Sequence, residues 1–69
     1  MKMEIGSVWK YIPRGTTYKI VLKDVEIKCG TGWETGCLYV CKVTGKMFCR
    51  SYSSFLKGID KWEEVDERV

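Results

Sequence analysis

Apolar side chains recur at every second position through most of the chain, and the three-and-four spacing of an amphipathic helix is found in no more than one turn. Alternation of this kind specifies strands with one covered and one wetted face, which commits the chain to an all-β architecture. With 69 residues it makes a single domain, 1–69. The core must be thin, because a chain this short buries only about 60% of the surface of its unfolded form. A hydrophobic content of 45% and a net charge of +3 separate it from disordered sequences.

Ser7 to Ile12 reads as a first strand, and Pro13-Arg14-Gly15-Thr16 as a turn, since proline fixes φ and glycine accepts positive φ. From Thr17 the apolar set is Tyr18, Ile20 and Leu22. After Lys23 the parity flips, and Val25, Ile27 and Cys29 become the apolar set. One flip in a period-two pattern predicts a β-bulge or sharp bend at Lys23-Asp24, with both apolar sets pointing inward. Cys29 to Gly36 holds three glycines around Trp33 and reads as the longest loop. Its tryptophan either plugs the open end of a barrel or stands out as an anchor for a partner. Cys37 to Val43 is the next strand, Thr44-Gly45 a hairpin turn, and Lys46 to Tyr52 a fourth strand. Ser53 to Gly58, with a serine as N-cap and glycine as C-cap, makes one helical or 3₁₀ turn. Lys61 to Val65 is the last strand, and Asp66 to Val69 is expected to fray.

Five short strands with a helical turn before the last predict a small, partly open antiparallel SH3-like barrel, with an OB-like barrel as its nearest rival. The expected core is aliphatic: Ile5, Val8, Ile12, Ile20, Leu22, Val25, Ile27, Leu38, Val40, Leu56 and Ile59, leaving about half of the aromatics for the surface.

The spaced residues Gly6, Trp9, Gly15, Tyr18, Tyr39, Gly45, Phe48, Arg50 and Phe55, between Gly6 and Val65, resemble the pattern of a group of small bacterial and phage-borne domains of unknown function. The chain departs from that pattern at Tyr11, where the group often has histidine, and at Ser51, where proline commonly follows the arginine. The resemblance implies an SH3-like fold and a phage or mobile-element setting, without implying an activity.

Charge is divided along the chain. Residues 1–58 carry ten Lys/Arg and four Asp/Glu, a balance of +6, whereas 59–69 carry two and five, a balance of −3. The acidic tail starts at about residue 60. A basic body accords with an anionic partner, and equally with a solvated surface that the tail partly neutralises. No apolar run reaches the roughly 18 residues needed to cross a bilayer, and Met1-Lys2-Met3-Glu4 opens no signal peptide, so a soluble, cytoplasmic protein is expected.

Candidate chemistry is sparse. With no histidine the chain lacks the commonest general base and metal ligand. Cys29, Cys37, Cys41 and Cys49 contain no knuckle pair, and Cys37 and Cys41 lie about 13 Å apart along one strand face, too far to share zinc. Free, mostly buried thiols are expected. A Cys41–Cys49 disulfide across a three-residue hairpin loop and a four-thiolate metal site remain open as alternatives. The carboxylate pair Asp24/Glu26 on a charge-alternating strand reads as a solvated face. The glycines at 30 and 32 lead into a strand instead of a phosphate-binding helix. Neither an enzyme nor a cofactor is expected.

Binding is the better-supported class. Lys and Arg interleave with aromatics along the strands, the pattern with which small barrels stack bases or anchor protein partners. The expected contact residues are Trp33, Arg50, Tyr52, Phe48, Arg14 and Lys46, with Arg50 placed between Phe48 and Tyr52 on one strand face; the alternative for Arg50 is a structural role, bridging to the acidic tail. The function expected is a non-enzymatic binding module, a phage accessory or counter-defence protein that occupies a host protein stoichiometrically. The alternatives are a nucleic-acid-binding module and a sponge for a nucleotide messenger, and the protein is expected to be a monomer or homo-oligomer.

Overall fold

In the computed structural model, which describes residues 4–65, the alternation resolves into β1 (Val8–Tyr11), β2 (Thr16–Cys29), β3 (Gly32–Cys41), β4 (Met47–Ser51), the short helix α1 (Tyr52–Lys57), a 3₁₀ turn (Ile59–Lys61) and β5 (Trp62–Val65). The strands form one antiparallel sheet in the order β4-β3-β2-β1-β5, so that the first four make a meander and the last returns to the free side of the first. This is the small, partly open, five-stranded SH3-like barrel that the strand inventory predicts. No helix among the described residues is long and apolar enough to cross a membrane. The expected fraying of Asp66 to Val69 lies outside the described residues.

The 14-residue β2 is the strand that curves the sheet. Its partners on β3 run Ile20↔Tyr39, Leu22↔Leu38 and Val25↔Gly36, so at each of two steps β2 spends one residue more than β3. The second extra residue falls at Asp24, which has φ 57°, and there the predicted bulge is found. The first falls between Ile20 and Leu22 and escapes the apolar pattern. Residues directly opposite each other share a face, so this earlier bulge sends Leu22 outward with Leu38, whereas Ile20 points inward with Tyr39. Ile20 is 1% exposed and Leu22 52%.

Beyond Val25 the expected loop is a correction. Cys29 to Gly36 is a hairpin, with Gly30-Thr31 as a two-residue turn and Glu26↔Thr35 and Lys28↔Trp33 as cross-strand pairs. Gly30, at φ 61°, supplies the positive φ of a tight hairpin turn, and β-forming Trp33 and Thr35 continue the strand beyond it. Trp33 therefore plugs nothing: it is 63% exposed on a projecting two-stranded arm. The helix also starts earlier than expected. Its N-cap is Ser51, whose hydroxyl accepts the Ser54 N–H at 3.2 Å, so that Tyr52 belongs to α1 and not to a strand.

The largest correction concerns the core, which is aromatic. Trp9, Ile20, Cys37, Tyr39, Phe55 and Trp62 form the buried cluster, with Tyr11, Tyr18 and Tyr52 packed against it. Of the aliphatic residues expected inside, Val8 and Ile20 are buried and Val25, Ile27, Leu38 and Val40 half-buried, while Ile5, Ile12, Leu22, Leu56 and Ile59 are exposed. The reason is size: each ring buries about 150–250 Å², so a few rings on one curved face fill a thin barrel and displace the aliphatics to its margins.

Ile20→Ala should cost about 2–5 kcal/mol, comparable with the about 3–5 kcal/mol a domain of this size has to lose. Leu22→Ala should cost less than about 1 kcal/mol. Urea denaturation of the two variants checks the face assignment, and equal losses would contradict it.

Candidate functional site

Register alone places one set of rings on one face of the sheet. Trp9 pairs with Tyr18, Tyr11 with Trp62, Ile20 with Tyr39, Tyr39 with Phe48 and Cys37 with Arg50, and each pair shares a face with the next. The inner part of this face is sealed by Phe55 of α1, whose ring meets Tyr39 at 5.7 Å and Trp62 at 5.1 Å between centroids. The outer part is left open. There Tyr11, Arg14, Tyr18, Tyr39, Phe48, Arg50 and Trp62 line a cleft of about 260 Å³.

Each wall has a local cause. Arg14 sits in the β1–β2 turn, where Gly15 at φ 65° closes back on Tyr11 through an N–H···O bond of 2.9 Å. Ile12 N–H bonds the Lys61 carbonyl at 2.8 Å, tying that turn to the start of β5. Tyr18 stands edge-on to both Tyr39 and Phe48, at interplanar angles of 88° and 85°, and Tyr39 lies nearly parallel to Phe48 at 26°. Phe48 is 42% exposed, and its ring forms the solvent side of the cleft.

Arg50 is the polar centre. Its guanidinium carbon lies 5.5 Å from the Phe55 ring centroid and 5.8 Å from that of Trp62, within cation–π range. Its Nε donates to the Tyr39 hydroxyl and one Nη to Ser54 Oγ, both at 3.4 Å. No carboxylate of the described residues lies in ion-pair distance of it, so a bridge from Arg50 to Asp60, Glu63 or Glu64 is absent there. Two of its five N–H donors are engaged by the described residues and three are not. The β3–β4 approach that sets this position needs a glycine: a Cβ on Gly36 would stand 2.7 Å from Ser51 Cα and closer still to the Arg50 carbonyl.

Of the contact residues expected from sequence, Arg14, Phe48 and Arg50 meet in the cleft and the others do not. Trp33 is on the projecting arm beside Lys28, whose ammonium lies 5.9 Å from its ring centroid. Lys46 is exposed in the turn before β4. Tyr52, expected to flank Arg50 on a strand, instead turns to the β2 bulge. Its hydroxyl accepts the Asp24 N–H at 2.9 Å and donates to Asp24 Oδ1 at 3.2 Å. Burial pushes that phenol upward, which keeps its proton available for the second bond. Tyr11, Tyr18, Tyr39 and Trp62 complete the cleft without having been expected there. Their signal in the sequence is the same-face spacing of Trp9/Tyr11 and Phe48/Arg50, which becomes informative only once the register is known.

The cysteines divide evenly. Cys37 and Cys41 are buried, Cys29 and Cys49 exposed, and all four are free. The Cys41–Cys49 pairing fails on register: Cys41 N–H bonds the Lys46 carbonyl, while Cys49 lies opposite Leu38 on the other face. Among the described residues no group of three or more Cys, Asp or Glu could hold a metal ion.

No protein-family model, curated protein or solved structure matches the chain.

Burial pushes the Cys37 thiol from 9.0 up to about 11, so the folded chain keeps a proton that the unfolded chain releases. The stabilisation is whole below pH 9 and is lost as the pH rises to about 11. Iodoacetamide at pH 8 should label Cys29 and Cys49 in the native protein and leave Cys37 intact until denaturant is added, as read by mass spectrometry. Fast native labelling of Cys37 would contradict its place in the core.

Proposed function

We propose that this protein is a non-enzymatic binding module whose contact surface is the cleft between the β1–β2 turn and β4. The observation that carries this is the conjunction of two arginines with five aromatic rings around one open cleft. An exposed ring such as Phe48 beside an under-used guanidinium is a poor arrangement for solvent and a good one for a partner that covers both. The cleft is lined by no carboxylate, imidazole or thiol, the side chains that most often act as general base or nucleophile. That supports capture of a partner over its chemical conversion.

The phage or mobile-element setting implied by the family resemblance gives the module a role in the host cytoplasm, where a small chain acts by occupying its target stoichiometrically. That target is read as a host protein, with a nucleic acid or nucleotide as the alternative. The protein reading is favoured by Trp33, a large exposed ring on the projecting arm, which has the character of an interface anchor; the alternative is favoured by the arginines of the cleft.

Affinity capture with the tagged chain, followed by identification of bound protein, nucleic acid and small molecules, separates these readings. Phe48→Ala and Arg14→Ala alter exposed side chains and should fold normally, yet each should reduce the recovered partner about ten-fold or more. Undiminished recovery with both variants, together with loss in Trp33→Ala, would move the contact surface from the cleft to the arm.

A further inference from the structure

We infer that the cleft takes a nucleotide unit, one flat base with its phosphate, either free or within a single strand. This rests on the cleft being the contact surface and adds the chemistry of what enters it. The lining is of two kinds. Tyr11, Tyr18 and Phe48 offer ring faces and edges, while Arg14 and Arg50 offer fixed positive charge, and no carboxylate lines the cleft. An inorganic anion would satisfy the guanidiniums and leave the rings wet; an uncharged ring would cover the aromatics and leave the guanidiniums without an anion. A ligand that joins a planar π-system to an anion satisfies both.

Size and access sharpen the class. A cleft of about 260 Å³ lies at the lower limit of small-molecule sites and has room for one base-sized ring. The two arginines reach it from two ends of the same face, Arg14 from the β1–β2 turn and Arg50 from the edge strand β4. They differ in state. Arg50 is half-buried and held by Tyr39, Ser54 and the faces of Phe55 and Trp62, with a rigid fork of donors still unspent. Arg14 is exposed, and none of the described residues is hydrogen-bonded or ion-paired to its side chain. A fixed donor at one side and a swinging one at the other suit a group whose sugar-phosphate chain passes through an open cleft. The +6 balance of residues 1–58 favours the same polyanionic class. Arginine is the side chain suited to this task, because its planar fork matches phosphate oxygens two at a time.

The test is a titration followed in ¹H–¹⁵N NMR spectra that include the arginine Nε–H signals. The probes are AMP, UMP, a short single-stranded oligothymidylate, adenosine, inorganic phosphate and a phosphotyrosine peptide. The expected result is saturable movement of the Arg50 Nε–H and the Phe48 and Tyr18 amides with AMP or UMP, or with the oligonucleotide. Adenosine and phosphate should each bind at least about ten-fold more weakly than the nucleotide. A free nucleotide as tight as the oligonucleotide identifies a small-molecule site, and a much tighter, steeply salt-dependent oligonucleotide identifies a single-strand site. Phe48→Ala and Arg14→Ala should each weaken binding about ten-fold or more with the remaining spectrum unchanged, and Arg50→Lys should do so by removing the fork. Movement of the cleft signals by the phosphotyrosine peptide alone would overturn the nucleotide assignment and leave the cleft as the contact surface. Cleft signals unmoved by every probe at millimolar concentration would overturn the nucleotide assignment, and the cleft itself would fall if affinity capture were also indifferent to Phe48 and Arg14.

Discussion

Trp62 is the side chain on which both the closure of the barrel and the shape of the cleft depend. It opens β5, the last strand to be laid down, and pairs there with Tyr11 of β1. Its ring also reaches Tyr18 at 5.6 Å, Tyr39 at 6.2 Å and Phe55 at 5.1 Å between centroids, joining three further elements at one point. A hydrophobic core of branched aliphatics would need many more residues to link the same elements. One indole, buried to 9% exposure, does so in a chain too short for a second layer.

The same economy explains why the core and the cleft are continuous. In a larger domain the rings that fill the interior and those that meet a partner belong to different layers. Here Tyr39 and Trp62 are core residues on one side and cleft lining on the other, and Arg50 lies across their boundary. The cation is tolerated because its guanidinium carbon lies over the rings of Phe55 and Trp62 within cation–π range, while Tyr39 and Ser54 take its hydrogen bonds and the side chain is only half-buried. Gly36 and the Ser51 cap act at a distance on this arrangement. The glycine lets β4 come close to β3, and the cap starts α1 where Ser54 can meet the guanidinium.

Strand number, the order of elements and the bulge at Asp24 were legible in the sequence, because each has a local signature: alternation, turn residues, and a change of parity. The bulge before Leu22 was not, since it falls inside an uninterrupted run, Ile20-Val21-Leu22, where any shift of face still meets an apolar residue. The hairpin at Gly30-Thr31 looks like a loop in the sequence because glycines flank a tryptophan on both sides, and composition cannot tell a turn glycine from one within a strand. Half of the expected contact residues proved to be in the cleft, those on β4 and in the turn before β2. Trp33, Tyr52 and Lys46 share the aromatic or basic character of the others, and only register and the start of the helix separate them. What the sequence could not supply was which rings face one another, a property of strand pairing and of no single segment.

Arg50 is held in place by the aromatic core before any partner arrives. This is tested most directly by the ¹⁵N relaxation of the arginine Nε–H groups in the protein alone. The Arg50 Nε–H should be as rigid as the strand backbone, slow to exchange with water and displaced by the ring currents of Phe55 and Trp62, with Arg14 mobile and unshifted. An Arg50 signal as mobile and as ordinary as that of Arg14 would contradict it.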